Sequence, residues 1–178
     1  NIEIWDEDNK PLPQGKVGQI AVSGPTVMEG YLTEDGPVDA GLYKTEDGTK
    51  WVLTGDLAYI DEDGYLWFMG RSKRLVIISG YNVYPGDIEK LLTELDFIKE
   101  SCAVQGFDAE GKKLIRLYVV ADGADENAEE YNLQIIELCS ARLDKFSVPR
   151  DIRYIDALPR TRLEKVDFMS LTENEPTK

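Results

Sequence analysis

The stretch Trp51–Glu89, WVLTGDLAYIDEDGYLWFMGRSKRLVIISGYNVYPGDIE, decides how this chain is read. Thr54-Gly55-Asp56 sits on a strand-like run, and Gly70-Arg71-Ser72-Lys73 follows a second such run. Asp63-Gly64, between the two apolar runs, is a hairpin signal. Leu75–Ile78 is a short strand candidate, and Gly80–Pro85 reads as a glycine loop opening a helix, with Pro85 in the first turn. Ile88, Leu91, Leu92 and Leu95 follow at helical spacing. A turn carboxylate, a basic junction and a glycine loop within one short segment point to a nucleotide site beside a hinge.

Working outward, the region before Arg71 is expected to be β structure. Ile2–Trp5, Gly18–Ser23, Trp51–Ile60 and Tyr65–Met69 are rich in β-branched and aromatic residues and are parted by Gly, Pro and Asp turns. The acidic stretch Thr33–Lys50, with its Gly and Pro, is expected to be a surface loop. On the other side, Cys102–Phe107, Leu114–Ala121 and Ile152–Ile155 read as strands, and Ala128–Leu143 as an amphipathic helix. Asp122–Glu130 reads as a solvated loop and helix start, where carboxylates favour the helix N-terminus. Strand–helix–strand–strand–helix–strand is the order of an α+β sandwich with both helices on one sheet face. The expected division is residues 1–71 and 72–178.

Composition narrows the function classes. A chain of 178 residues holds one ordinary domain or two small ones. No apolar run approaches the roughly 20 residues that span a bilayer. A net charge of −14 argues against nucleic-acid binding, where clustered positive charge supplies most of the affinity. Cys102 and Cys139 stand far apart without CxxC neighbours, so they read as small apolar residues in a reducing cytosol, not as a disulfide or zinc site. There is no histidine, which excludes Ser-His-Asp and Cys-His mechanisms and His-ligated metals within these residues. Asn1-Ile2-Glu3-Ile4-Trp5 starts directly in a strand pattern, so the chain is expected to be a piece of a longer protein, with a cytoplasmic location.

Each candidate site residue carries two readings at this level. The Asp56 carboxylate can project from its turn and accept hydrogen bonds from both hydroxyls of a ribose, or it is an ordinary turn Asp bonding its own backbone. Arg71, Lys73 and Arg74 either grip phosphate or ribose oxygens or balance nearby carboxylates on the surface. In Leu158-Pro159-Arg160-Thr161-Arg162-Leu163-Glu164-Lys165, the lysine is either solvent-exposed and silent or, if the segment folds back over a site, an ammonium that neutralises charge developing between a carboxylate and a phosphoryl group.

Taken in order, TGD, then GRSKRLVIISGYNVYPGDIE, then PRTRLEKVD resembles the C-terminal portion of the adenylate-forming (AMP-binding) enzymes, the superfamily of acyl-CoA synthetases, peptide-synthetase adenylation domains and luciferases. Gly15–Ile20 and Gly24–Leu32 are similar to its β-barrel subdomain, so the resemblance covers essentially the whole chain. It implies a small β-barrel-like subdomain followed by a mobile α+β lid domain. It also implies that Asp56 and Arg71 hold the ribose of ATP and then of the acyl-adenylate, and that Lys73 is the hinge. Gly80 would line the channel for the coenzyme A thiol. Lys165 would bridge the substrate carboxylate and the α-phosphate during adenylation. Glu164 stands where the family's last motif usually has glycine.

The implied reaction is carried out by the intact enzyme with ATP, Mg2+, coenzyme A and a small carboxylic or fatty acid, together with the missing N-terminal domain of the same chain. The fragment itself is expected to be inactive. Two other readings stay open, an adenylation domain loading a carrier-protein thiol and a non-catalytic binding module on the same scaffold.

Overall fold

The computed structural model describes residues 1–34, 36–38 and 42–172. Two compact units meet between Lys73 and Arg74 in the chain, the first running Asn1–Lys73 and the second Arg74–Lys178.

The first unit is built from β1 (Ile2–Trp5), β2 (Gly18–Ser23), β3 (Tyr31–Thr33), β4 (Gly36–Val38), β5 (Leu42–Lys44), β6 (Lys50–Ile60) and β7 (Leu66–Arg71). Strands β1, β2, β6 and β5 lie in that order in one antiparallel sheet, and β7 also pairs with β6. Among the described residues this sheet is open and does not close into a barrel. Its core is aromatic. Trp5 and Trp51 are buried with ring centroids 4.8 Å apart, and Tyr43 meets Trp5 edge-on at 5.5 Å.

The expected loop Thr33–Lys50 is corrected in part. It contains β4, which hairpins with β3, and β5, which extends the main sheet. Positions 35 and 39–41 of that stretch lie outside the described residues. Three-residue strands carry too few side chains to show a period of two, which is why the pattern did not reveal them.

The second unit contains β8 (Val76–Ile78), β9 (Tyr81–Val83), α1 (Pro85–Leu92), β10 (Ile98–Phe107), β11 (Lys113–Ala121), α2 (Ala124–Arg142), β12 (Asp151–Tyr154) and α3 (Phe168–Leu171). β11 is central, antiparallel to β10 and parallel to β12. Alternation sorts the side chains onto two faces. Ala103, Ile115, Leu117 and Val119 share a buried cluster with Ile88 and Leu92 of α1 and Ile135 and Cys139 of α2. Cys102 and Val104 face the other way and are covered by Leu158, Val166, Phe168 and Leu171. The segment carrying Lys165 is therefore anchored, with α3, on the face opposite α1 and α2.

Two further expectations change. Gly80–Pro85 is not a plain loop into the helix, because Tyr81–Val83 is a strand that hairpins with β8. The Asp122–Glu130 stretch is helical from Ala124. Leu95 lies past the end of α1 but still packs against the same core.

Charge pairing at the sheet edge sets an acid-side limit on stability. Burial alone would raise the Asp151 pKa, but hydrogen bonds from Arg116 and Arg153, together with their charges, lower it below the usual carboxylate range. Asp144 is lowered in the same sense, with its burial outweighed by hydrogen bonds from Ser147 and the Phe146 backbone. A group whose pKa is depressed in the folded state contributes stability above its unfolded pKa and loses it as pH falls through the folded value. Thermal midpoints should therefore hold steady between about pH 8 and 5, where no histidine titrates, and fall below about pH 4. Asp151→Asn should lower the midpoint at neutral pH and flatten that acid-side fall. An unchanged acid limb in this variant would show that Asp151 does not contribute to it.

Candidate functional site

The TGD motif is a distortion in the middle of β6. Pairing with β2 passes from Ala21↔Leu53 to Gln19↔Leu57, so Ile20 alone faces Thr54, Gly55 and Asp56. Gly55 takes φ 76°, a conformation glycine adopts without the steric cost borne by other residues. The Thr54 hydroxyl stitches the bulge together by donating to the Ile20 carbonyl at 3.1 Å and accepting from the Asp56 N–H at 3.1 Å. Such bulges re-aim a side chain. Here the reoriented residue is Asp56.

Across the β6–β7 hairpin, Asp56 stands directly opposite Arg71. Arg71 Nε lies 2.8 Å from Asp56 Oδ1 as an ion pair, without the alignment of a hydrogen bond, and Arg71 also donates to the Thr54 carbonyl at 3.4 Å. The Asp56 side chain is 23% exposed and that of Arg71 is 62% exposed. The structure thus brings these two predicted residues together, with one carboxylate half-sheltered and one guanidinium in the open.

Ser72–Arg74 form a single turn of 3-10 helix, and Lys73 is exposed at the last position of the first unit. Arg74 is different. It forms a forked pair with Glu89 of α1, with Nη1 3.0 Å from Oε2 and Nη2 on Oε1. Of the basic cluster seen in the sequence, Arg74 therefore balances a carboxylate. Its partner lies a helix turn and a hairpin away, where local sequence gives no signal.

Gly80 is the second residue of a two-residue hairpin turn between β8 and β9, where Ser79 and Gly80 both have positive φ (52° and 83°). It is exposed, and a Cβ placed there would meet no atom within 4 Å. Beside this turn is a cleft of about 300 Å³ whose lining includes Ser79, Lys112, Lys113, Phe146, Arg150 and Asp108. Nothing in the local sequence linked these positions, because three separate segments supply them.

The C-terminal motif folds as a tight hairpin. Thr161 N–H donates to the Lys165 carbonyl at 2.8 Å, Glu164 N–H to the Thr161 carbonyl at 3.0 Å, and Asp167 N–H to the Pro159 carbonyl at 2.8 Å. Arg160 anchors the hairpin to β10 through Glu100. Glu164 occupies the left-handed region at φ 59°, which costs a residue with a Cβ roughly 1–2 kcal/mol. Lys165 is exposed beside it, and its ammonium makes no ion pair or hydrogen bond among the described residues.

Both cysteines are buried free thiols. Burial and the Glu89 carboxylate push Cys102 up to about 12, and burial pushes Cys139 up to about 11. Among the described residues no group of three His, Cys, Asp or Glu side chains could hold a metal ion. No helix of the described residues is long and apolar enough to cross a membrane.

A family model described as the AMP-binding enzyme C-terminal domain matches residues 87–165. An indoleacetate–CoA ligase of Aromatoleum aromaticum is 33% identical over 167 residues, which cover 93% of this chain and 31% of the relative. The ATP-bound structure of MatB from Rhodopseudomonas palustris is 33% identical and superposes with a TM-score of 0.75, over 96% of this chain and 33% of that one. The o-succinylbenzoate CoA synthetase MenE of Bacillus subtilis, solved with the acyl-adenylate OSB-AMP, is 27% identical with a TM-score of 0.79, over 100% of this chain and 34% of that one. The chain spans about a third of the length of the curated relatives it matches.

Proposed function

The chain belongs to the AMP-binding, adenylate-forming enzymes, and on that premise we propose that it is the C-terminal part of an ATP-dependent acyl-CoA ligase. The intact enzyme activates a carboxylic acid as acyl-AMP, releasing pyrophosphate, and then passes the acyl group to the thiol of coenzyme A with release of AMP. The observation that carries this reading is the cross-strand pair of Asp56 and Arg71 at a bulge. A sheltered carboxylate accepts from two vicinal hydroxyls, and an adjacent guanidinium donates to the same sugar, which together suit the ribose of a nucleotide.

In the proposed roles, Lys165 places its ammonium between the attacking carboxylate and the α-phosphate, and Lys73 is the pivot between the two half-reactions. Gly80 leaves the hairpin tip without a Cβ, so a pantetheine arm can pass close to the backbone. The neighbouring cleft, with Lys112, Lys113 and Arg150 against the single carboxylate of Asp108, favours a phosphate-bearing acceptor in an otherwise acidic chain. Mg2+ neutralises the triphosphate when ATP is bound. Among the described residues no group of three His, Cys, Asp or Glu side chains is placed to hold it, and the phosphates of the nucleotide would supply ligands of the kind Mg2+ takes. A cytoplasmic location fits these small-molecule substrates.

ATP–pyrophosphate exchange tests the proposal. The upstream region is joined to this chain, folding is checked, and exchange is measured with a panel of small and fatty carboxylic acids. Exchange that depends on one acid class supports the ligase, and no exchange with any acid overturns it. Coenzyme A and a carrier-protein thiol are then compared as acceptors, which separates a CoA ligase from a carrier-loading domain. The second reading, a binding module on the same scaffold, is favoured by Glu164, whose carboxylate adjoins Lys165 at a strained turn.

The 178-residue chain by itself should bind ATP weakly or not at all, since Asp56 and Arg71 supply contacts to the sugar alone. Calorimetry checks this, and submicromolar affinity would mean that the nucleotide site lies wholly within these residues.

A further inference from the structure

We propose that Arg74 and Glu89 form a clamp that ends the exposed junction at Lys73 and fixes the first residue of the second unit to its core. Arg74 is where the environment of the chain changes. Arg71 and Lys73 are exposed, and the ammonium of Lys73 has no partner among the described residues. One residue later, the Arg74 side chain is 24% exposed and its fork grips Glu89, itself 21% exposed.

The grip extends beyond that pair. Glu89 Oε1 also accepts from the Ala103 N–H at 2.9 Å, and Arg74 Nη2 reaches the Ala103 carbonyl at 3.3 Å. The Arg74 guanidinium lies 5.2 Å from the centroid of the Phe168 ring. One side chain therefore links the start of the unit to α1, to β10 and to α3. A planar fork has the shape for this and an ammonium does not. Rotation of one rigid body needs a defined last fixed point, because slack beyond the pivot would spread one motion over many orientations. The clamp supplies that point. Its use during catalysis rests on the two-step reading given above, in which Arg74 is a positioning residue.

The test begins with the 178-residue chain and hydrogen exchange resolved by residue. In the native chain, the amides of Ser72 and Lys73 should exchange freely, between the protected strand β7 and a second region of protection that begins at Arg74–Val76. Arg74→Ala and Glu89→Gln should lower protection locally at Leu75–Ile78 by about tenfold or more, with the amides of β11 unchanged. Arg74→Lys should restore only part of it. Unchanged protection at Leu75–Ile78 overturns the clamp. Loss of protection throughout the unit in both Arg74→Ala and Arg74→Lys also overturns it, because the pair would then be a general core element.

In the intact protein, Arg74→Ala should slow thioester formation from supplied acyl-adenylate about tenfold more than pyrophosphate exchange, since only the former follows the rotation. Equal slowing of both half-reactions contradicts a positioning role. Absence of exchange in the unmodified intact protein would defeat the ligase reading instead, and the exchange-protection result would still decide the clamp.

Discussion

Lys165→Ala in the intact protein is expected to lower the rate of adenylation by on the order of 10²–10³, the usual cost of losing one preorganised charge-stabilising donor. Thioester formation from supplied acyl-adenylate should change much less. The split follows from when the charge appears. Adenylation brings a carboxylate against a phosphoryl group, and a single ammonium relieves the repulsion between them. Once the adenylate exists, that repulsion is gone. The hairpin holding Lys165 is closed by the Thr161–Lys165 and Pro159–Asp167 backbone bonds and tied to β10 by Arg160 and Glu100, a fixed mount that suits the proposed role. Equal losses in the two half-reactions would remove Lys165 from the role given to it.

Leu92→Ala is expected to destabilise the second unit by about 2–5 kcal/mol, the range for truncating a fully buried leucine whose surroundings cannot collapse. Leu92 is 0% exposed, in one cluster with Val83, Ile88, Leu117 and Ile135. It ties the last turn of α1 to the sheet face that α2 also covers. Since a whole domain is stable by only about 5–15 kcal/mol, a loss of this size should move the urea midpoint far while leaving the m-value unchanged. Leu95→Ala, beyond the helix end and only partly buried, should cost visibly less. Similar costs at both positions would mean that α1 does not dock by its buried stripe.

Much of the fold was legible because long elements repeat their pattern often enough to be seen. β1 and β2 are bounded as their alternation suggests, and α1 begins at the Pro85 that suits a first helical turn. The short hairpin β3–β4, the strand β9 and the one-turn helix α3 offer too few repeats. The candidate site was proposed from residue types alone, and its geometry was not legible. The hairpin registers Ile60 with Leu66, and strict counting from that pair would set Asp56 opposite Gly70. A bulge at Met69 moves the register by one and delivers Arg71 instead. No local pattern announces that slip, nor the left-handed backbone at Glu164, nor the bond between Arg74 and a carboxylate 15 positions away.

The burial of both thiols has a chemical consequence if the intact protein makes acyl-adenylates, as proposed above. A mixed anhydride of a carboxylic acid and AMP acylates whatever thiolate reaches it first, so an enzyme's own cysteines compete with the intended acceptor. With Cys102 pushed to about 12 and Cys139 to about 11, both lie well above the ordinary thiol range. On the order of one thiol in 10⁴–10⁵ is ionised at neutral pH, and neither reaches solvent. The chain has no histidine, and its two thiols are kept out of reach of the intermediate it is proposed to handle.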